Sequence, residues 1–171
     1  MKKLFLLLGF LFSVSLSGQV YVIENGTVET ACIGTFLDSG GAGASYSSNE
    51  TFTYTICPEL PGQLIELTFT EFNTQAGADV MTIYNAADAS DPITAFGQFS
   101  GDAAPNIPGF VAATPDNASG CLTIVFTSNP GVNLNGWSAE ISCYEPCQTI
   151  NSQVDTAFPV PDVNGFIKVC P

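Results

Sequence analysis

The chain contains no histidine and no arginine, and this absence excludes most familiar catalytic sites. Without histidine there is no Ser-His-Asp or Cys-His nucleophile, no His-ligated zinc centre and no imidazole to move protons near neutral pH. Without arginine, and with no glycine-rich loop that ends in lysine, the chain lacks the usual groups for phosphoryl transfer. Carboxylates are the catalytic groups left, and a pair of them could hydrolyse glycosides.

Positive charge is almost as scarce. The three cations are Lys2, Lys3 and Lys168, against sixteen Asp and Glu residues. If the N-terminal segment is removed, one cation is left, and the formal charge is 1 − 16 = −15. Such a surface repels nucleic acid and anionic lipid, which are recognised through clustered Lys and Arg. It favours cationic partners, although the charge could also serve only solubility outside the cell.

The first 18 residues have the pattern of a secretory signal peptide. Two lysines precede an apolar run (residues 4–16), and we expect cleavage near Ser17 or Gly18. The run is shorter than the roughly 20 residues that a membrane span needs, so a retained anchor is the less favoured alternative. The sequence therefore predicts a secreted or cell-surface protein with no membrane span in the mature chain. About 150 mature residues suit one domain.

Alternation of apolar and polar residues recurs between turn-rich segments, and no 3.6-residue stripe is sustained. The predicted strands cover residues 52–56, 65–69, 80–84, 93–99, 121–129 and 136–143. Their separators are rich in turn-forming residues, and none is suited to form a crossover helix. The pattern predicts an all-β fold: a two-layer antiparallel β-sandwich over residues 19–144, with a core built mainly from phenylalanines.

Six cysteines in an exported chain indicate disulfides, for which fifteen pairings are possible. Spacing along the chain suggests three bridges: Cys32 with Cys57, Cys121 with Cys143, and Cys147 with Cys170. Each would close a loop of about twenty residues and stabilise the fold by roughly 3 kcal/mol through chain entropy. A zinc-cysteine cluster is the alternative, but exported thiols oxidise and the cysteines are widely spaced.

Residues 121–129 and 136–143 are predicted to form a hairpin. Pairing position i with position 264 − i sets Cys121 opposite Cys143 across one ladder. This register places the apolar residues of the first strand on the face of polar residues of the second, so it requires a bulge or a bridge beyond the strand end. Trp137 lies on an alternating apolar face and is expected in the core rather than exposed for sugar stacking.

Residues 21–143 resemble a CUB domain of the divergent type found in large secreted or surface proteins of bacteria. The matching segments are 52–56, 79–85, 98–101, 122–129 and 136–139. The resemblance implies a disulfide-stapled sandwich of the jelly-roll type. Ser100 takes the place of a common family cysteine, and no cysteine lies shortly before Asp79, so the resemblance implies that one usual disulfide is missing. The Cys32–Cys57 pairing is an analogy with the family, displaced by several residues.

Some CUB domains bind calcium, and the resemblance implies a degenerate calcium site. The implied ligands are Tyr46, Gln75, Asp79 and Asn129. Two of these are amides where the family has carboxylates, and calcium affinity follows the number of charged ligands, so the site should be weak. Glu71 or Asp116 could compensate. In the alternative, Asp79 only hydrogen-bonds a loop.

The composition changes at Glu145. Residues 145–171 resemble the opening of a PKD-like domain, with a strand expected near residues 166–170. So short a segment cannot bury a core of its own, and the resemblance implies that further domains of a longer protein follow. In the alternative, these residues form a tail that packs on the first domain through a Cys147–Cys170 bridge.

The sequence therefore predicts a non-catalytic extracellular binding or adhesion module within a larger secreted or cell-surface protein. The resemblance implies a protein or glycan ligand bound through loops at the sandwich edge, and no cofactor apart from the weak calcium site. An accessory domain of a secreted protease or glycosidase, whose catalytic part lies elsewhere, is the alternative. A structural spacer without a ligand is a third possibility.

Overall fold

The structure is a computed structural model that describes residues 18–146, 148–151 and 166–169. Two five-stranded sheets pack around one apolar core, which confirms the predicted two-layer β-sandwich. The described residues contain no α-helix, only two short 3-10 turns at Gly41–Gly43 and Pro92–Thr94. Accordingly, this part of the chain has no helix long and apolar enough to cross a membrane.

The strands divide into two sheets, named here A and B. Sheet A consists, in spatial order, of β1 (Val20–Val22), β3 (Ile33–Leu37), β10 (Gly136–Tyr144), β5 (Leu64–Asn73) and β8 (Phe110–Ala112). Sheet B consists of β2 (Thr27–Thr30), β4 (Thr51–Cys57), β9 (Leu122–Thr127), β6 (Val80–Tyr84) and β7 (Ala95–Phe99). The six predicted segments all contain strands.

Two further strands follow the sandwich in the chain. β11 (Gln148–Asn151) and β12 (Phe166–Val169) form an antiparallel pair, and β12 falls where a strand was expected. The PKD-like continuation and the Cys147–Cys170 bridge lie largely outside the described residues, so both stay predictions.

The alternation of apolar and polar residues along the strands explains which side chains form the core. In β9, Leu122, Ile124 and Phe126 are fully buried, as expected for a strand with one face toward the interior. A row of five aromatic side chains crosses the core, with neighbouring ring centroids 4.8 to 5.8 Å apart. The row consists of Tyr46, Phe126, Trp137, Phe36 and Tyr54. The expectation that Trp137 lies in the core is confirmed.

Most strand pairs of the sandwich are antiparallel, as predicted, and two pairs are parallel. β1 runs parallel to β3, and β2 runs parallel to β4. A parallel pair needs a crossover connection. Strands of the opposite sheet supply it here, because β2 lies between β1 and β3 in the chain, and β3 lies between β2 and β4. The first four strands thus alternate between the sheets.

β9 and β10 do not pair with each other, so the predicted hairpin is wrong. β9 lies between β4 and β6 in sheet B, and β10 lies between β3 and β5 in sheet A. Residues 128–135 carry the chain from one sheet to the other. Both strands turn their apolar face toward the space between the sheets, where Phe126 meets Trp137 edge to face at 4.8 Å. The hairpin register would have set apolar residues of one strand on the same face as polar residues of the other. This mismatch does not arise when the two strands lie in different sheets.

The disulfides join Cys32 to Cys143 and Cys57 to Cys121, so the two pairings suggested by spacing are wrong. Each bridge links neighbouring strands of one sheet: the first continues the β3–β10 ladder, and the second continues the β4–β9 ladder. Both bridges therefore lie at the same end of the sandwich, the disulfide end. At the opposite end, the loop end, residues 38–50, 74–79 and 128–135 are three of the connections between strands. Hydrogen bonds that involve side chains join these three connections to one another.

Non-reducing peptide mapping of the exported protein should find the Cys32–Cys143 and Cys57–Cys121 peptides. Replacing both members of the first bridge by alanine should lower the free energy of unfolding by about 4 kcal/mol, because the bridge closes a long loop. Removal of the second bridge should cost somewhat less, since its sequence separation is 64 rather than 111. Urea unfolding measures both losses, and a peptide that links Cys32 to Cys57 would contradict the pairing.

Candidate functional site

The loop end brings together the four side chains that the resemblance implied as calcium ligands. Tyr46 comes from the connection between β3 and β4. Gln75 and Asp79 come from the connection between β5 and β6, and Asn129 follows β9. Hydrogen bonds join these four residues, which we call the Asp79 cluster.

Asp79 is the centre of the cluster and is fully buried. Its Oδ2 accepts a hydrogen bond from the Tyr46 hydroxyl at 2.6 Å, and its Oδ1 accepts one from the Asn129 backbone N–H at 2.8 Å. The Asp79 backbone N–H donates to the Gln75 carbonyl at 3.0 Å. A buried carboxylate is stabilised when polar hydrogens donate to it. Asp79 therefore joins residues 38–50, 74–79 and 128–135 of the loop end.

The two amide side chains complete the cluster. The Asn129 Nδ2 donates to the Gln75 Oε1 at 3.1 Å, and the Asn129 Oδ1 accepts from the backbone N–H of Gly131. The Gln75 backbone N–H donates to the Tyr46 hydroxyl oxygen at 3.1 Å. Every side-chain oxygen of the cluster thus accepts at least one hydrogen bond.

Tyr46 connects the cluster to the core. Its ring is buried and packs edge to face on Phe126, with the centroids 5.1 Å apart. Burial, and after it the hydrogen bond to the Asp79 carboxylate, raises the pKa of Tyr46 from 10.0 to about 12. The hydroxyl therefore stays protonated, and able to donate to Asp79, far above neutral pH.

Neither carboxylate considered as a substitute ligand joins the cluster. Glu71 is exposed on β5, and Asp116 is exposed in the connection that precedes β9 at the disulfide end. Within the described residues, no group of three or more His, Cys, Asp or Glu side chains is placed to hold a metal ion. Asp79 is the one carboxylate of the cluster.

A pair of buried carboxylates, Asp38 and Glu50, also lies at the loop end, and the sequence analysis did not predict it. Asp38 is 1% exposed and accepts backbone N–H bonds from Gly40 at 2.7 Å and from Trp137 at 3.1 Å. Glu50 is 6% exposed; its Oε1 accepts from the Ser39 hydroxyl, while its Oε2 has no hydrogen-bond partner in the structure. Both carboxylates therefore lie in a poorly hydrated environment.

Burial raises the pKa of Asp38, and the nearby charge of Glu50 raises it further, while the two backbone N–H bonds act in the opposite direction. The Asp38-Ser39-Gly40 segment is typical of a turn in which the aspartate accepts a hydrogen bond from the backbone two residues later, so a signal for Asp38 was present. Glu50 follows a polar stretch, and no turn motif in the sequence indicated that its side chain is buried.

A cleft of about 610 Å³ opens beside Asp38. Its walls come from β1, β3, the turn at residues 41–45, and the beginning of β10, with Glu71 of β5 on one side. The lining includes two carboxylates and no Lys or Arg, and Val20 and Leu37 add apolar surface. The cleft is therefore suited to a ligand that combines positive charge with an apolar group.

Comparison with known proteins gives matches among solved structures alone. No family model and no curated protein sequence matches the chain. The full extracellular region of zebrafish Gpr126/Adgrg6 is 14% identical, with a TM-score of 0.55 over 70% of this chain and 15% of that one. The CUB1-EGF-CUB2 domains of rat MASP-1 are 19% identical, with a TM-score of 0.53 over 68% of this chain and 42% of that one.

A third structure, the MASP-1 CUB2 domain bound to Ca²⁺, is 21% identical, with a TM-score of 0.52 over 69% of this chain and 98% of that domain. The chain thus spans less than half of the first two structures and nearly the whole of a single CUB domain. At these identities the likeness concerns the fold, and the structural neighbours of this sandwich are CUB domains.

The calcium ion in the MASP-1 CUB2 structure raises the question of whether the Asp79 cluster suits the same ion. Calcium takes about 6 to 8 oxygen ligands, and its affinity rises with the number of carboxylates among them. The cluster has one carboxylate, and both of its oxygens already accept hydrogen bonds. Asn129 also directs an amide nitrogen, not an oxygen, toward Gln75. These donors fit calcium poorly.

Replacement of Asp79 by alanine should lower the free energy of unfolding by about 3 kcal/mol, because it leaves the Tyr46 hydroxyl and the Asn129 N–H without their acceptor. Asp116→Ala removes an exposed carboxylate and is the control, with an expected change below about 0.5 kcal/mol. Urea unfolding followed by Trp137 fluorescence measures both variants. Equal stability of the two would contradict the central role of Asp79.

The raised pKa of Tyr46 predicts a loss of stability at alkaline pH. A tyrosine whose pKa is higher in the folded state contributes stability that is complete below its unfolded pKa of 10.0 and is lost as the pH rises through about 12. Tyr46→Phe should therefore show a shallower fall in stability across this range than the wild type. Denaturant unfolding at a series of alkaline pH values is the measurement, and identical slopes would count against the assignment.

Proposed function

We propose that the chain is a non-catalytic extracellular binding module for a protein ligand with a cationic surface. Two kinds of observation support the extracellular role. The structural neighbours include the extracellular region of Gpr126/Adgrg6 and CUB domains of MASP-1. Two disulfides join strands of the sandwich, as is usual in oxidising compartments. The observation that carries the ligand class is the acidic cleft at the loop end.

All the charged side chains of the sandwich are acidic. Two of the sixteen carboxylates, Asp155 and Asp162, lie beyond it, so residues 18–146 contain fourteen carboxylates and no Lys or Arg. No internal cation neutralises this charge, and a cleft with low-dielectric walls concentrates the resulting potential. Partners that carry Lys or Arg are attracted, whereas nucleic acid and anionic lipid are repelled.

The cleft supplies the local chemistry for such a partner. Glu71 is exposed and free to pair with a Lys or Arg side chain. Asp38 contributes its charge without contacting the ligand, because its side chain is almost fully buried and accepts backbone N–H bonds. Val20 and Leu37 form an apolar wall that suits the alkyl stem of a Lys or Arg side chain.

A protein ligand is favoured over a carbohydrate by the position of Trp137. The ring is 2% exposed and packs between Phe36 and Phe126, so it is not available to stack on a sugar. A charged peptide segment needs no such platform, because ion pairing and packing along the apolar wall supply the contacts.

Catalysis by a carboxylate pair does not form part of the proposal. A glycosidase needs two carboxyl groups that are free to transfer a proton and to attack or activate water. The backbone bonds to Asp38 leave Glu71 as the one unengaged carboxylate of the cleft. Binding of this kind serves an adhesion protein or an accessory domain of a secreted hydrolase equally, with residues 1–18 as the removed signal peptide and residues 19–144 as the binding domain.

Surface plasmon resonance with the full chain can test the proposal, using immobilised peptides that carry clustered lysines and arginines beside neutral glycans. We expect binding to the cationic peptides that weakens as the salt concentration rises. Glu71→Gln should reduce the affinity about threefold, the size of one exposed ion pair.

Glu59→Gln is the matched control, because it removes the same charge from an exposed position at the disulfide end. Its affinity should stay close to that of the wild type. Equal losses in the two variants would show that the cleft is not the binding surface. Binding to glycans without binding to cationic peptides would overturn the ligand class.

A further inference from the structure

We infer that the Asp79 cluster works without a metal ion: hydrogen bonds alone hold residues 38–50, 74–79 and 128–135 of the loop end together, at the place where the CUB resemblance implies a calcium site. The inference concerns the internal organisation of the loop end and does not depend on the ligand proposed above. It rests on the hydrogen bonds that the side-chain oxygens of the cluster already accept.

Each oxygen that could serve as a side-chain ligand is engaged. Both oxygens of Asp79 accept hydrogen bonds at 2.6 and 2.8 Å. The amide oxygens of Gln75 and Asn129 accept hydrogen bonds as well, from the Asn129 Nδ2 and the Gly131 N–H. A cation that entered the cluster would compete with these hydrogen bonds for the oxygen lone pairs, and one carboxylate offers little charge in return.

Asn129 supplies two hydrogen-bond donors to this network. Its backbone N–H donates to the Asp79 Oδ1, and its Nδ2 donates to the Gln75 Oε1. Partial positive charges on N–H groups stabilise a carboxylate, as a cation does, and they require no further negative ligands. An aspartate at position 129 would place an oxygen where Nδ2 lies, and that oxygen would face the Gln75 Oε1 as one acceptor against another.

The backbone of the third connection closes over the cluster. A Cβ added at Gly131 would lie 2.7 Å from the Asn129 Oδ1 and 3.3 Å from the Gln75 Oε1. Thr74 supports the other side, since its hydroxyl donates to the Asp79 carbonyl at 2.9 Å. The cluster is therefore packed as a closed hydrogen-bonded unit.

Thermal melts of the full chain in excess calcium and in chelator test the inference. The wild-type Tm should agree within about 1 °C between the two conditions, because a protein without a site gains nothing from the ion. Gln75→Glu/Asn129→Asp converts both amides to carboxylates and should melt about 5 °C or more below the wild type in chelator. Added calcium should raise the Tm of this variant.

The matched control is Gln19→Glu/Gln98→Glu, which adds the same two charges at exposed positions outside the loop end. Its Tm in chelator should stay near that of the wild type. A saturable calcium-dependent rise in the wild-type Tm that Asp79→Asn abolishes would overturn the inference. So would a Gln75→Glu/Asn129→Asp protein that is as stable as the control in chelator.

If the double variant does not fold, a terbium titration of the wild type gives an independent measurement. Terbium occupies calcium sites, and Tyr46 would sensitise its emission from within the cluster. We expect no sensitised emission from the wild type. Emission that calcium displaces would show that the cluster binds a cation and would overturn the inference.

Discussion

A carboxylate buried without a cation imposes the strongest constraint on this domain. Asp79 is removed from water, and residues 18–146 contain no Lys or Arg to pair with it. An ionised carboxylate in such a place costs several kcal/mol unless polar hydrogens replace the lost water. The Tyr46 hydroxyl and the Asn129 N–H therefore have to keep their positions. Because these donors belong to different connections, one charge determines the arrangement of the loop end.

The two ends of the sandwich are stabilised in different ways. Covalent bridges hold neighbouring strands of each sheet at the disulfide end, while hydrogen bonds hold the connections at the loop end. The aromatic row joins the two sheets, and its Tyr46 also belongs to the Asp79 cluster. Disulfides restrict the unfolded chain, which offsets part of the repulsion among so many uncompensated carboxylates.

The long strands are predictable because each repeats its alternation over at least five residues, as in β5 and β9. β1, β2 and β8 contain three or four residues, too few for a pattern to emerge, and they lie at sheet edges where burial is incomplete. β3 has five residues, but its apolar and polar residues do not alternate, so it too escaped prediction. The Asp79 cluster is predictable through the CUB resemblance, since no spacing rule connects residues from three loops. Glu50 escapes prediction because its burial depends on the fold of the segment around it.

By itself, the sequence determined which chemistry is available: no imidazole, no guanidinium, six thiols, and strands with one apolar face. The tertiary structure decided which strands are neighbours, and with them which cysteines meet. Cys32 and Cys143 are separated by 111 residues, yet their Cα atoms lie 4.9 Å apart because β3 and β10 share a sheet. The spacing of cysteines along the chain indicates only which of them could pair through a short loop. The order of strands in a sheet depends instead on contacts between distant segments. The same non-local contacts place Asp79 at the centre of a hydrogen-bonded cluster.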